Sequence, residues 1–181
     1  MPLPKEHIHT IKDIYNLPAG RRAELIDGQM YDMAPPNTQH QRISARLLAK
    51  IMQYINQNSG SCEVFPAPFA VFLNKDDYNY VEPDISVICD SDKITDKGCN
   101  GAPDWIIEIV SHGSRRMDYY KKLDLYHAAG VREYWIVDPL RQIILVYDME
   151  HDESPVIYSF HDSVPVGIYP GFSVDFHAIH L

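Results

Sequence analysis

The chain has 181 residues, 45% hydrophobic and 23% charged, which suits one compact core and predicts a single domain over residues 1–181. Its 16 basic and 25 acidic residues give a net charge of −9, which argues against nonspecific phosphate binding over the whole surface but leaves room for a local basic patch. No apolar run approaches the roughly 20 residues that cross a bilayer, and residues 1–15 do not read as a signal peptide, so we expect a cytoplasmic protein with no membrane partner.

The chain alternates predicted strands with two predicted helices. Apolar runs on either side of Asp27-Gly28 indicate a two-residue hairpin turn. Asn37 or Thr38 can cap a helix whose apolar positions keep helical spacing as far as residues 58–60. Further strands are predicted at residues 62–65, 69–73, 85–89, 105–110, 133–137 and 142–147. This interleaving predicts an α/β or α+β domain in which helices pack on a mixed sheet.

The second predicted helix spans residues 114–129, and Gly130 is its stop signal. Helical spacing predicts an inward face made of Met117, Tyr120, Leu123 and either Tyr126 or His127.

Two carboxylates are the strongest candidates for a functional site. Glu108 lies inside residues 105–110, a run that is otherwise apolar and therefore predicts a central strand covered on both faces. A carboxylate buried there needs a cation, an ion pair or several donors. Asp84 opens a second apolar run, where an ordinary turn is the simpler role. Together they predict a site for a hard divalent cation, with the backbone carbonyl of Ile109 as a third ligand.

A metal-dependent site of this kind usually carries a lysine as well. The expected position, two residues after the glutamate, is Val110. The next helix can supply the lysine instead, because Asp118, Lys122 and Tyr126 follow one another at intervals of four and form one stripe. A solvated pair of Asp118 and Lys122 is the alternative, and Lys121 competes for the role.

Two further residues have open interpretations. Glu24, just before the hairpin turn, is either an additional acid of the site or an exposed glutamate. His40 opens the first long helix, where a solvated or capping role is commoner than contact with a phosphate or a metal. The sequence has no G-x-G-x-x-G, P-loop or G-x-S-x-G motif, which removes the commonest nucleotide-binding and serine-hydrolase interpretations.

The three cysteines are Cys62, Cys89 and Cys99, and none of them forms a C-x-x-C pair. This number and spacing support neither a disulfide framework nor a structural zinc site. We therefore expect reduced thiols, which fits a cytoplasmic protein.

A series of short strings occurs in order between about residues 20 and 148. They are ELIDG at 24–28, MAPP at 33–36, HQ at 40–41, VFPAPF at 64–69, PDISV at 83–87, GAPD at 101–104, IEI at 107–109 and GVREYWIVDP at 130–139. In combination they resemble the Uma-two family, which is classed with restriction endonucleases in the PD-(D/E)XK nuclease superfamily. The resemblance implies a restriction-endonuclease-like core, a mixed central sheet flanked by helices, with additional N- and C-terminal β-hairpins. The β-rich extension at about 149–181 lies beyond the match.

The resemblance also implies an activity and a set of site residues. The family's Pro-Asp carboxylate, its strand glutamate and its early acidic residue fall on Asp84, Glu108 and Glu24. Its helical pattern of Asp, Lys and Tyr selects Lys122 over Lys121. The implied function is a Mg²⁺- or Mn²⁺-dependent endonuclease that hydrolyses phosphodiester bonds of nucleic acid, with DNA as the favoured substrate.

One departure from the family pattern concerns the loop after the Glu108 strand. The family usually has Ser-Pro-Ser-Thr there, and this chain has Ser111-His112-Gly113-Ser114, which predicts a looser loop. With the net charge of −9, this departure motivates an alternative function, a non-catalytic module that binds nucleic acid or a protein partner. A homodimer is expected, because many nucleases of the superfamily act as dimers and the apolar segment 156–176 offers a strand edge for pairing.

Overall fold

A mixed six-stranded sheet forms the centre of the fold. The computed structural model describes residues 7–74 and 76–179. The helices are α1 (Ile11–Tyr15), α2 (Thr38–Gln57) and α3 (Lys122–Ala129), with a 3-10 turn at Ser91–Lys93 and a π-helical segment at Met117–Lys121 that runs into α3. The strands are β1 (Ala23–Ile26), β2 (Gln29–Asp32), β3 (Glu63–Pro66), β4 (Val71–Phe72), β5 (Ile85–Ile88), β6 (Ile94–Thr95), β7 (Gly98–Asn100), β8 (Trp105–Ile109), β9 (Glu133–Asp138), β10 (Ile143–Asp148), β11 (Val156–Ser159), β12 (Ser163–Pro165) and β13 (Ser173–Asp175).

The central sheet has the strand order β11-β10-β9-β8-β5-β3. Strands β8 and β9 are parallel, and the other neighbouring strands are antiparallel. Helix α2 packs on one face of the sheet and α3 on the other, because their buried residues belong to two separate hydrophobic clusters formed by alternate residues of the same strands. The predicted α+β architecture, with helices on both faces of a mixed sheet, is confirmed.

The N-terminal hairpin and α2 follow the local signals in the sequence. Asp27 and Gly28 both have positive φ, at 49° and 74°, as the tight turn between β1 and β2 requires. Asn37 caps α2, since its side chain accepts a hydrogen bond from the backbone N–H of His40 at 2.9 Å. Of the two predicted caps, Asn37 is the one used.

The second predicted helix forms, and its inward face matches the prediction except at Tyr120: Met117 and Leu123 pack against the hydrophobic cluster that contains Tyr126. Gly130 ends it with φ 87°, as expected. Tyr120 is 67% exposed, whereas Asp118 and Lys122 are buried. Of the two alternatives at its end, Tyr126 is buried and His127 is exposed. The burial of Lys122 agrees with the prediction that this lysine reaches back toward the carboxylates, and its partners Glu24 and Glu108 carry the opposite charge.

The prediction of three reduced thiols is also wrong. Cys62 and Cys89 form a disulfide, while Cys99 is free and buried. The antiparallel register of β3 and β5 pairs Glu63 with Ile88, so the two cysteines stand opposite each other one residue further along. Their separation of 27 residues leaves no local cysteine motif in the sequence.

The C-terminal segment extends the same core. Strand β11 is the outer edge of the central sheet, and β12 pairs with β13 in a separate hairpin. Phe160, Val174 and Phe176 pack in the cluster that also holds the buried face of α2. Within the part of the chain that the structure describes, no helix is both long and apolar enough to span a membrane.

Candidate active site

The side chain of Glu108 lies at the centre of a buried ionic cluster. It comes from β8, all of whose residues are buried. Nζ of Lys122 lies 2.9 Å from Oε1 of Glu108 and 2.9 Å from Oε2 of Glu24. The exposed fractions of these three side chains are only 5–6%. The helix therefore delivers Lys122 to the strand glutamate, as the stripe of polar residues predicts.

Two more residues of the same stripe complete the contacts. The hydroxyl of Tyr126 donates a hydrogen bond of 2.6 Å to Oε1 of Glu108. Oδ1 of Asp118 lies 3.8 Å from Nζ of Lys122 and has no hydrogen-bond partner among the described residues. The predicted alternative, a solvated surface pair of Asp118 and Lys122, is wrong, because both residues are buried. Lys121 instead lies on the surface, with its ammonium 4.6 Å from the ring centre of Tyr31.

Asp84 stands opposite Glu108 and is held by its own donors. In the antiparallel pairing of β5 with β8, Ile85 faces Ile107, so one residue further along Asp84 faces Glu108. Oδ2 of Asp84 is 3.0 Å from Nε2 of His40 and accepts a 2.7 Å hydrogen bond from the backbone N–H of Ile109. Among residues 7–74 and 76–179, neither acid is paired with an arginine. The donors are a lysine and a tyrosine for Glu108, and a histidine and a backbone amide for Asp84.

Glu24 is a buried member of the cluster, not an exposed glutamate. Strand β1 carries it, and its second oxygen, Oε1, accepts a 3.1 Å hydrogen bond from the backbone N–H of Glu82. The residue is 4% exposed. This places the first hairpin against the lysine of α3 and excludes the interpretation of Glu24 as an exposed glutamate.

Charge in the cluster is strongly unbalanced. Burial lowers the pKa of Lys122, but the carboxylates Glu108, Glu24 and Asp118 outweigh it and hold that pKa well above its usual value, so the ammonium stays charged. Burial raises the pKa of Glu108 well above its usual value, opposed by Lys122 and reinforced by the other acids. Burial also raises the pKa of Asp118 to about 6. One ammonium thus offsets several buried carboxylates, an arrangement that favours a further positive charge.

The loop that lacks the family's proline is closed by serine hydrogen bonds. The backbone N–H of Ser111 donates to Oγ of Ser114 at 3.0 Å, and the backbone N–H of Ser114 donates to Oγ of Ser111 at 3.2 Å. The loop is closed by these reciprocal bonds, and Lys122 reaches the carboxylates although the proline is missing.

The oxygen donors fit a hard divalent cation. The hydrogen bonds described above fall on Oδ2 of Asp84 and Oε1 of Glu108, which leaves Oδ1 and Oε2 to other ligands. Within residues 7–74 and 76–179, no group of three or more His, Cys, Asp or Glu side chains is arranged to hold a metal. Mg²⁺ does not need such a cage, since one or two carboxylates, a carbonyl such as that of Ile109, and water suffice for it.

Comparison with known proteins identifies the family. A family model described as "Uma2: Putative restriction endonuclease" matches residues 11–177. The chain belongs to the Uma2 family. The match is longer than the stretch of about 20–148 expected from the sequence strings, so the C-terminal strands belong to it too. This confirms the family resemblance.

Two relatives agree with this assignment. "Uncharacterized protein slr1290" of Synechocystis sp. is 26% identical over 141 residues, which are 77% of this chain and 73% of that protein. A crystal structure from Anabaena variabilis, titled as a putative nuclease belonging to DUF820, matches with a TM-score of 0.76 at 20% identity. The match covers 95% of this chain and 99% of the Anabaena chain, and it establishes the fold.

Sequence reasoning underestimated two residues of this Uma2 site. His40 was expected to be solvated or capping, yet it is 8% exposed and contacts Asp84. Tyr126 appeared only as part of the helical stripe, yet its hydroxyl binds Glu108. The sequence did indicate that both side chains are buried, because each is a polar residue at a position where helical spacing predicts burial.

Proposed function

We propose that this Uma2 protein is a metal-dependent endonuclease that hydrolyses phosphodiester bonds of DNA. The observation that carries the proposal is the contact of Lys122 with Glu108, directly across from Asp84 in the sheet register. A pair of carboxylates that can hold a cation, with a charged lysine in contact with one of them, suits metal-assisted phosphoryl transfer to water.

Asp84, Glu108 and the carbonyl of Ile109 would hold the cation, Mg²⁺ or Mn²⁺. Bound there, a divalent cation lowers the pKa of a coordinated water and offsets negative charge on the phosphate. Lys122 stays protonated, so its role is to orient the attacking water and to stabilise developing negative charge, not to accept a proton. Tyr126 holds the carboxylate of Glu108, and Glu24 holds the ammonium of Lys122.

The surface beside the site suits a polyanion. Arg116 and Lys121 are exposed on the segment that carries Lys122. Such exposed basic residues can contact the phosphates of a nucleic acid, which a net charge of −9 still permits. We propose DNA as the substrate on this basis and on the family description. The cytoplasm is the proposed location, although the Cys62–Cys89 disulfide removes the support that reduced thiols would have given it.

Cleavage of supercoiled plasmid and of single-stranded DNA with Mg²⁺ or Mn²⁺ tests the proposal. Glu108→Gln keeps the volume of the side chain but removes the charge, so we expect at least a 100-fold lower rate. Glu150→Gln is the matched control, because Glu150 is 45% exposed and pairs with Arg132 on the surface. Equal rates for wild type and Glu108→Gln would overturn the assignment.

A non-catalytic nuclease-fold module is the second candidate, and one observation favours it. Lys122 already offsets part of the charge on Glu108 and Glu24, so the cluster has a stabilising cation of its own. Calorimetry separates the two candidates. If the folded protein binds neither Mg²⁺ nor Mn²⁺ at millimolar concentration, the catalytic proposal is wrong and the binding module remains.

We also propose that the protein is a homodimer paired through β11. This strand is the outer edge of the central sheet, where backbone N–H and C=O groups are free to pair with another strand. Val156 and Ile157 on it are 50% and 63% exposed, which is unusual for adjacent branched apolar residues on a sheet edge.

A further inference from the structure

The side chain of His40 points into the protein, toward Asp84. It comes from the first turn of α2 and is 8% exposed. Its Nε2 lies 3.0 Å from Oδ2 of Asp84. Because a carboxylate only accepts hydrogen bonds here, the hydrogen lies on Nε2 whether the ring is neutral or protonated. From its position at the start of the helix, His40 was expected to cap the helix or to face water, with contact to a phosphate or a metal as the minority interpretation.

Capping and packing do not explain this histidine. The N-terminus of α2 is capped by Asn37, whose side chain accepts a hydrogen bond from the backbone N–H of His40. The imidazole of His40 takes no part in this cap. The other ring nitrogen, Nδ1, is buried and has no hydrogen-bond partner among the described residues. A buried polar atom without a partner costs on the order of 1–3 kcal/mol, so packing alone does not favour a histidine at this position.

Asp84 is held on one oxygen by donors from two elements. The imidazole of His40 approaches Oδ2 from α2, and the backbone N–H of Ile109 approaches the same atom at 2.7 Å from the end of β8. Two donors on one oxygen prevent the carboxylate from rotating about its Cβ–Cγ bond. The second oxygen, Oδ1, is left as the atom that can bind a cation.

We propose that His40 is the positioning residue that fixes Asp84 as a one-oxygen cation ligand, an inference that rests on the proposed metal-dependent function. A carboxylate that offers one oxygen suits small octahedral ions such as Mg²⁺ and Mn²⁺. Ca²⁺ takes more oxygens and often binds both of one carboxylate. His40 therefore sets which divalent ion the site prefers, without touching the ion itself.

Calorimetric titration of the full chain with MnCl₂ and with CaCl₂, without nucleic acid, tests this role. We expect His40→Ala to weaken Mn²⁺ binding by roughly 10- to 100-fold, which is the usual effect of losing a residue that orients a metal ligand. Ca²⁺ binding is expected to change less, because a freed Asp84 can offer both oxygens. The preference for Mn²⁺ over Ca²⁺ therefore shrinks.

His40→Gln separates positioning from simple packing. The Nε2 of a glutamine can donate from a reach similar to that of the imidazole Nε2, so this variant is expected to recover most of the Mn²⁺ affinity. His161→Ala removes an exposed histidine of the C-terminal segment and is the control with no expected effect. Thermal unfolding of each variant checks that the fold is intact.

The outcomes are distinct. Wild type that binds Mn²⁺, with His40→Ala weaker and His40→Gln recovered, supports the inference. If a folded His40→Ala binds Mn²⁺ as tightly as wild type does, this inference is wrong and the proposed function still stands. Wild type that binds neither ion overturns both. A second readout is cleavage rate against Mn²⁺ concentration, where His40→Ala should need more Mn²⁺ but approach the wild-type rate at saturation.

Discussion

The ammonium of Lys122 lies 2.9 Å from Oε1 of Glu108, a residue 14 positions earlier in the chain. The strand itself has Val110 where a lysine would be expected, and the helix on that face of the sheet supplies the lysine instead. What matters for contact with a group bound at the carboxylates is where the ammonium of Lys122 lies in the folded protein, and not whether the lysine belongs to the same strand. The same contact makes Lys122 a structural residue as well, because it neutralises charge inside the core.

Replacing Lys122 by methionine leaves Glu24 and Glu108 buried without their cation. We expect the free energy of unfolding at pH 7 to fall by about 3–5 kcal/mol, as for other broken buried pairs. The loss should shrink as the pH is lowered, because protonation removes the uncompensated charges. Urea unfolding at pH 7 and pH 5 measures both effects.

Lys121→Met is the control for that comparison. Lys121 is exposed and contacts Tyr31 at the surface, so its replacement should change the free energy of unfolding by no more than about 0.5 kcal/mol. Similar losses for the two lysines would contradict the burial of Lys122.

Asp118 should make the protein less stable as the pH rises. Its pKa is raised from 3.8 to about 6 by burial, so between these values the folded state binds more protons than the unfolded state. Stability linked to Asp118 is therefore present below pH 4 and lost as the pH rises through 6. Asp118→Asn removes this titration and should be more stable than wild type at pH 7.5, on the order of 1–3 kcal/mol.

Urea unfolding of wild type and Asp118→Asn at pH 4.5 and pH 7.5 checks the sign. The advantage of the variant should be small at the lower pH and larger at the higher pH. Parallel pH dependences in the two proteins would show that Asp118 is not the group that titrates.

Much of the fold and of the site could be predicted from local signals. Asp27-Gly28 and the cap Asn37 need only their own neighbours to act, and both behave as the sequence predicts. Glu108 could be singled out because a charged residue within an apolar strand demands a partner. Lys122 could be proposed from the spacing of the stripe, since spacing on a helix fixes which side chains share a face.

The remaining features depend on pairing between distant segments. Tyr120 was predicted to face inward but is exposed, because apolar spacing does not include the charge that Glu24 and Glu108 bring to the polar stripe of the same helix. The Cys62–Cys89 disulfide depends on the register of β3 and β5, which no cysteine motif reveals. His40 needed the position of Asp84 on another element before its contact could be seen.

Tyr126→Phe removes a single hydrogen bond from the cluster. The hydroxyl donates to Oε1 of Glu108 at 2.6 Å, and phenylalanine keeps the ring in place. A buried hydrogen bond to a charged group contributes about 1.5–3 kcal/mol, so the free energy of unfolding should fall by that amount. The cleavage rate should fall by roughly 10-fold, because Glu108 is no longer held in one orientation.

Tyr120→Phe is the matched control, since Tyr120 is 67% exposed on the same helical segment. It should leave both stability and cleavage rate unchanged. If Tyr126→Phe is as stable and as active as Tyr120→Phe, the hydroxyl of Tyr126 does not position Glu108.

The disulfide predicts a defined thiol count. Cys99 is the free thiol and is buried, and burial raises its pKa to about 11, so it should resist alkylation in the folded protein. Unfolding without reductant should expose one reactive thiol, and unfolding with reductant should expose all three, as mass spectrometry can count. Three reactive thiols without reductant would show that Cys62 and Cys89 are reduced.

Reduction should also lower stability. The disulfide closes a loop with a sequence separation of 27, for which the loss of loop entropy in the unfolded chain corresponds to about 3–4 kcal/mol. Urea unfolding of the oxidised and reduced protein measures the difference. Cys62→Ser should match the reduced protein, because it removes the same cross-link.

The outer edge of the sheet predicts an interface between two copies of the chain. Ile157 lies on β11 and is 63% exposed, so Ile157→Lys would place a charge in the middle of a paired edge. We expect the variant to weaken dimerisation by roughly 10- to 100-fold, by about 1.4–2.8 kcal/mol. Leu140→Lys is the control, because Leu140 is 46% exposed in the turn between β9 and β10, away from the edge. Light scattering across a concentration series gives the dissociation constants of wild type and variants. Two results would rule out this edge as the interface: a wild type that is monomeric at all concentrations, or equal dissociation constants for wild type and Ile157→Lys.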